Sequence, residues 1–595
     1  MRHIFVMLVW LTFCSLWLTN TMAEDMMLAP VVVTATHFKT PQTEVGRKTE
    51  VITKEEIKAL PVHSVNELLG YLSSVDVRTR GIAGMQTDFS IRGSNFEQVL
   101  ILVNGIRIND PQTGHLLGDI PISLSEIERI EVVPGGASGL YGHGGFGGVI
   151  NIITQKKKRP GIQAQFGHGK YDYNLEGLGL STPAFKDTQL SLNLERQLSN
   201  GYRPDTDFDH KLGNLCLNGQ GLQLLVGIDD KKFGANSFYT TYYPWQWEHT
   251  QTQLLFAQKE FLFGEASFTP SLIYRRHNDH FVLDRSNPDF YQNHHRTHVY
   301  DLQLPFKWHT KLVNLGTGLE LGREGIKSTR LENHFRWHEG IFFSLNPHLK
   351  RINSNLDLRV DHYSEGLGTQ FSYNLALAYH PTKVVKFRAA TGRSFRIPSY
   401  TELYYSSPAN HGNPNLNPER AWHLEGGIDF LQPNWVSGIT IFKRWGRQII
   451  DWIKEGHAYY AQNIGQVNTL GSTVYLNLLW QKHTLKLDYT FLNQTYHCQG
   501  KAKYAGGYLK HKADLILISR WPWQINTSLA LSYQKRLGQT AYLLLDAKLE
   551  KQLKSQYGRY SLFLEGKNLL DANYEDISGV PMPGIWFWGG VKINL

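Results

Sequence analysis

Beyond "KKKRPG" (156–161) apolar and polar residues alternate through one segment after another. "INTSLALSY" puts Ile525, Thr527, Leu529, Leu531 and Tyr533 on one face, and Asn526, Ser528, Ala530 and Ser532 on the other. "VNLGTGLELG" does the same with Val313, Leu315, Thr317, Leu319 and Leu321, and "TLKLDYTF" with Leu485, Leu487, Tyr489 and Phe491. Strict period two predicts strands with one apolar and one polar face. In a soluble sandwich the apolar face turns inward; in an outer-membrane barrel it faces lipid and the polar face lines a lumen. Trp521 and Trp523 around Pro522 read as an interfacial girdle at a turn. About 440 residues follow position 155. At ~10 residues per spanning strand with short turns at one end, they predict ~22 strands and long loops at the other end. So wide a barrel is not filled by its own side chains and calls for a plug.

The preceding stretch, 44–157, has a different rhythm. "ITKEEIKALPVHSVNELLGYLSSV" predicts two short helices broken at Pro61, the first opened by a Thr53/Glu56 capping box. "QVLILVNGIRIND" predicts two buried strands joined at Asn104-Gly105, and "RIEVVPGG" and "GGVINIIT" two more. The Gly-rich "ASGLYGHGGFGG" has no Lys-Ser or Lys-Thr at phosphate-loop spacing and reads as tight turns under close packing. The expected architecture is all-β and transmembrane: a ~22-stranded antiparallel outer-membrane β-barrel over 158–595, with an N-terminal α/β plug domain (44–157) inside its lumen.

Targeting agrees with that reading. "MRHIFVMLVWLTFCSLWLTNTMAED" has a basic start, an apolar run and a small-residue site at Thr21-Met22-Ala23, so residues 1–23 are expected to be a secretory signal peptide. No other run reaches 18 apolar residues, so no transmembrane helix is expected. Aromatic residues make up 12% while mean hydropathy is only −0.33, which requires the apolar residues to be interleaved. A formal charge of +9 favours anionic partners such as lipopolysaccharide, and there is no basic run of the nucleic-acid kind. Cys216 and Cys498 remain after processing; their pairing is left open. Neither G-x-S-x-G nor H-E-x-x-H occurs, so no catalysis is expected.

Two further stretches stand out. In the leader (24–43), "PVVVTAT" has strong extended propensity but is followed by polar residues with no hairpin partner at turn distance. A lone strand of this kind is a template for an added strand from another chain. In "RRHNDHFVLDRSNPDFYQNHHRTH" (275–298), His277, His280, His294, His295 and His298 flank a Pro-containing loop. An outer loop touching ligand or lipopolysaccharide is expected there rather than a zinc enzyme, which would need a rigid set with a general base and an open position.

"DFSIRGSNFEQVLILVNGIRIND", "ISLSEIERIEVVPGGASGLYGHGGFGGVINIIT", "GNPNLNPE" and the C-terminal "GKNLLDANYEDISGVPMPGIWFWGGVKINL" resemble the plug and barrel motifs of TonB-dependent outer-membrane receptors, in the same order and across the mature chain. The resemblance implies an integral protein of the bacterial outer membrane that imports a scarce metal chelate. It implies that Pro30, Val31, Val32, Val33, Thr34, Ala35 and Thr36 form the box that pairs with TonB and its inner-membrane energising complex. Arg92 of "IRG" matches one half of the family's plug–barrel lock; Pro134-Gly135-Gly136 stands where relatives have Arg-Gly-Pro, and Leu595 where they end on an aromatic residue. Within the family "GNPNLNPE" and the compact length are most similar to vitamin B12 receptors. Those bind Ca²⁺ through acidic outer loops, which makes Asp205, Asp207, Asp209, Asp229 and Asp230 candidate oxygen ligands, with a solvated acidic turn as the alternative. A haem reading competes: Phe395-Arg396-Ile397-Pro398 and Asn413-Pro414-Asn415-Leu416 bracket His411 as in haem receptors. A ferric siderophore, a surface lipoprotein cap and a non-transporting adhesin barrel stay open.

Overall fold

In a computed structural model, residues 30–156, 159–185, 187–498 and 500–595 are described. The expected signal peptide and the start of the leader lie outside them. Twenty-two antiparallel strands close into a barrel, sealed where Gly161–Gly169 pairs with Trp586–Asn594. The period-two faces sort as the sequence predicts: Leu319 and Leu321 are exposed on the outer wall, and Glu320 between them is buried. Trp521 and Trp523 flank a tight turn and are both exposed. No helix is long and apolar enough to cross a membrane.

The expected long loops are largely absorbed into strands. Trp435–Glu455 and Ala458–Trp480 run 21 and 23 residues, well beyond what a bilayer needs, and are joined by only two residues. Extra length at that end continues the ladder, interrupted only at Gln448 and Gly465 within this pair, and so supplies partners for backbone groups. The longest connection, residues 397–418, is itself ordered, with a helix at Tyr400–Tyr404 capped by Ser399 and Glu402.

Inside the barrel lies a five-stranded sheet in the order Glu50–Thr53, Ile127–Pro134, Gly148–Thr154, Val99–Val103, Ile106–Arg107. Ile52, Val99, Ile101, Val103, Ile130, Val132, Ile150 and Ile152 of this sheet form one buried cluster with Leu68 and Leu69 of the helix Val65–Leu69. The Thr53/Glu56 capping box is present on Lys54–Ala59. Asn104 and Gly105 both take positive φ (51° and 91°), as a two-residue hairpin requires. The Gly-rich stretch packs as expected: a Cβ on Gly139 would lie 2.7 Å from the backbone of Tyr373 and Asn374, so only glycine lets this turn lie against the barrel wall.

Candidate functional site

Three places join the inner domain to something else: its leader, its contacts with the wall, and its apex. The leader comes first. Val31–Val32 is not the lone strand expected from sequence; it pairs with Thr40–Pro41, and the chain turns over at Val33, whose carbonyl accepts from His37 N–H at 3.0 Å. Val33 and Thr34 N–H both donate to Glu131 Oε2 at 2.9 Å, and the Thr34 hydroxyl donates to the same oxygen at 2.6 Å. Asn151 donates to Thr34 Oγ1 and the Tyr141 hydroxyl to the Thr34 carbonyl. Val32 and Ala35 sit in an apolar pocket with Val45, Val51 and Val133. Burial pushes the His37 imidazole down to about 3, so it is neutral and its Nε2–H donates to the Leu140 carbonyl. The segment 30–36 is therefore docked, and its backbone is occupied.

Next are the wall contacts. Arg92 donates to Glu425 Oε2 at 2.7 Å, with both side chains buried, and lies over the Phe442 ring. The other Glu425 oxygen accepts from Lys48 N–H. Arg47 stands beside Arg92 and donates to the Pro134 and Gly136 carbonyls. A second arginine thus reaches the same spot from the start of the plug domain rather than from the Pro134-Gly135-Gly136 segment. Glu425 and Arg47 were not among the residues expected from sequence. Arg107, carried on the Asn104-Gly105 hairpin, donates to Glu320 Oε1 at 3.1 Å. Asp301, Glu320 and His338 are the one group of carboxylates and imidazole among the described residues with metal-like spacing. Arg107 Nη2 lies 3.2 Å from His338 Nε2, and Arg359 donates to the other Glu320 oxygen, so guanidinium groups fill this cluster.

At the apex, the connection 397–418 sits directly on the inner domain. Tyr400 and Thr401 N–H donate to the Pro111 and Gln112 carbonyls at 2.9 and 3.0 Å. Beneath them Arg396 bridges Glu402 and Glu419, and Glu97 faces the same group. Burial, with Glu402 adding repulsion, pushes Glu97 up to about 8. Its raised value means the folded state holds this proton where the unfolded chain has lost it. Stability of the seat therefore falls as pH rises from the ordinary carboxylate range through about 8. Amide exchange at Tyr400 and Thr401, corrected for its intrinsic pH dependence, is expected to accelerate over that window, and Glu97→Gln to flatten the response.

The sequence-predicted ligands separate. The five histidines lie on strands, not in a loop; the connection between them is only residues 283–291. Adjacent strand residues face opposite ways, so His294 points outward, stacked on His280 at 3.9 Å, while His295 points inward to Ser328. His411 lies in the connection at the apex, half-buried and stacked on Tyr460. The aspartates also part company, and no three of them lie within 4.8 Å. Asp205 and Asp207 both pair with Arg285, Asp209 with Arg196, buried Asp229 with His210, and outward Asp230 with His249. Because Arg285 already neutralises Asp205 and Asp207, Ca²⁺ or EDTA is expected to leave the thermal unfolding of the wild-type protein unchanged. In Arg285→Gln, added Ca²⁺ should raise the unfolding temperature; a rise already in the wild type would contradict this.

The sequence matches the TonB-dependent receptor-like β-barrel family over residues 135–569 and the TonB-dependent receptor plug domain over 41–149. The vitamin B12 transporter BtuB of Vibrio vulnificus is 26% identical over 451 residues, 72% of this chain and 71% of that protein. Among solved structures, the siderophore receptor PirA of Acinetobacter baumannii superposes with TM-score 0.76 at 15% identity, covering 94% of this chain and all of that one. The ferric enterobactin receptor of Pseudomonas aeruginosa gives 0.74 at 16%, covering 95% and 100%. The FrpB iron transporter of Neisseria meningitidis gives 0.76 at 12%, covering 93% and 100%. These structural likenesses show a shared fold.

Proposed function

Because the chain belongs to the TonB-dependent receptor family, we propose that it imports cobalamin across the outer membrane, energised by TonB through residues 30–36. The observation that carries the choice of ligand is the likeness to a vitamin B12 transporter over 72% of the chain. The motif "GNPNLNPE" lies in the apex connection, where an outside ligand would meet the plug. A binding screen of the purified protein against cyanocobalamin, haemin and ferric enterobactin tests it. Cyanocobalamin alone should be retained at micromolar concentration. The haem reading is favoured only by His411, whose ring is partly exposed at that end; a haemin Soret band that changes in His411→Ala would replace cobalamin with haem.

Glu131 supplies the coupling element in this account. Pairing with TonB uses the same backbone N–H groups that Glu131 holds, so docking and pairing compete. Glu131→Gln removes the charge that strengthens three bonds. It is expected to raise the affinity of ligand-free receptor for the periplasmic part of TonB about tenfold, equivalent to about 1.4 kcal/mol. Isothermal titration of the two purified proteins measures this; unchanged affinity would mean that Glu131 does not restrain the segment.

A further inference from the structure

One cross-strand row of the inner wall is built from groups that ligate metal ions. Asp301 on Gln292–His309 stands opposite Gly322 on Val313–Ser328, Gly322 opposite His338 on Glu332–Leu349, and His338 opposite Tyr363 on Ile352–Tyr363. Glu320 lies two residues from Gly322 and so on the same face. Asp301, Glu320 and His338 are all buried. A Cβ on Gly322 would run into the His338 ring, so glycine here lets the imidazole lie across the row. His338 Nε2 lies 3.1 Å from Asp301 Oδ2 and 3.1 Å from Glu320 Oε1. Donor atoms about 2.1 Å from a shared ion stand about 3.0–3.4 Å apart, so both spacings are those of neighbouring ligands.

A cation already sits among them, and it comes from the plug. Arg107 Nη2 is 3.1 Å from Glu320 Oε1, 3.2 Å from His338 Nε2 and 3.8 Å from Asp301 Oδ2. It thus faces the same three atoms that an ion would bind. The match is incomplete. Asp301 Oδ1 has no hydrogen-bond partner among the described residues, and neither does the buried Tyr363 hydroxyl. Yet Tyr363 stacks on His338, with ring centroids 5.5 Å apart, and interacts electrostatically with Arg107, Glu320 and Asp361. Orphaned oxygens in a buried site mark groups that another occupant would satisfy. Charge points the same way. Asp301, Glu320 and Asp361 face Arg107 and Arg359, while Glu324 nearby is neutralised by Arg336. Arg359 belongs to the wall and holds Asp361 and the other Glu320 oxygen. With Arg107 withdrawn, three carboxylates would face one guanidinium, a deficit of two positive charges.

We propose that Asp301, Glu320 and His338 form a divalent transition-metal site that Arg107 occupies while the plug is seated. One imidazole and two carboxylates suit Zn²⁺ or a similar ion better than Ca²⁺, which takes oxygen ligands. Every ligand is on the barrel, and the competing cation is carried by the Asn104-Gly105 hairpin of the plug. Metal and seated hairpin therefore exclude each other, and an ion that enters while the hairpin is withdrawn opposes its return. The inference rests neither on the choice of cobalamin nor on the pairing with TonB.

The test uses the full-length protein in detergent, with Co²⁺ as a spectroscopic probe and Zn²⁺ as its competitor. Arg107→Met removes the guanidinium but keeps an unbranched side chain. It is expected to bind one more equivalent of Co²⁺ than wild type at micromolar concentration, with a visible absorption band that Zn²⁺ abolishes. Arg107→Lys keeps a positive charge that repels the ion and should bind it at least about tenfold more weakly than Arg107→Met. Arg107→Met/His338→Gln should lose the extra equivalent. In wild-type protein, an ion that binds only the withdrawn state multiplies the population of that state by one plus its concentration over Kd. Zn²⁺ at ten times Kd should therefore speed hairpin amide exchange about tenfold. The amides to follow are Asn104 and Ile108, whose N–H groups donate to the Ile152 and Ile101 carbonyls. In His338→Gln the exchange rate should not depend on Zn²⁺. Absence of the extra equivalent in an Arg107→Met protein whose barrel is folded on gels, or its persistence without His338, would overturn the proposal. So would exchange that ignores a Zn²⁺ titration in the wild type, a measurement that needs no variant.

Discussion

In cells producing Val33→Pro, ligand uptake is expected to fall to background while ligand binding at the cell surface stays at the wild-type level. Proline has no backbone N–H and fixes φ, so position 33 can no longer donate to an added TonB strand. The structure sharpens the expectation, because Val33 N–H is also one of the three donors to Glu131 Oε2. The substitution therefore loosens the docked segment as well as blocking the paired one, and only the second effect removes uptake. Glu131→Gln, which loosens without blocking, should keep uptake. Val33→Ile retains both the N–H and the extended preference and should be nearly silent. Labelled ligand, scored separately for surface binding and periplasmic delivery, reads all three. Undiminished delivery in Val33→Pro would leave residues 30–36 as a structural leader only.

The second large effect is expected at Glu425. Glu425→Ala leaves Arg92 buried without its carboxylate and removes the acceptor of Lys48 N–H. Breaking a buried pair from one side costs about 3–5 kcal/mol, whereas replacing both partners with apolar groups of similar size is close to neutral. The barrel strands do not depend on this pair, so the loss should appear as a loosened plug. Cells should become sensitive to antibiotics too large for porins, with barrel folding unchanged on gels. Arg92→Met/Glu425→Met should restore most of the barrier. If the double variant leaks as much as the single one, the pair is not what holds the plug at this point.

What could be read from the sequence follows from the range of the interactions involved. The strands are legible because a barrel wall imposes period two on every segment, as Leu319, Glu320 and Leu321 show. The helices and the Asn104-Gly105 hairpin are legible because capping and turn chemistry are local. The docked leader was not, since its partner Glu131 lies 97 residues from Thr34. One signal was available: a carboxylate inside the otherwise apolar "RIEVV", where a buried charge demands a partner. Arg107 in "NGIRIND" carries the same signal. Pro288 suggests a loop, which would bring His294 and His295 together. Once the residues on either side are strand, period two alone separates them. The aspartates do not cluster because each has a basic side chain as its partner, Arg285 above all, and no local pattern predicts a partner 78 residues away.

Cobalamin is expected to move inward through this receptor only when TonB is present. The most direct measurement is accumulation of cobalt-labelled cyanocobalamin in cells whose only outer-membrane cobalamin receptor is this chain, with and without TonB. Periplasmic accumulation is expected with TonB, and surface binding without accumulation in its absence. Equal accumulation in both strains, or no binding in either, would contradict it.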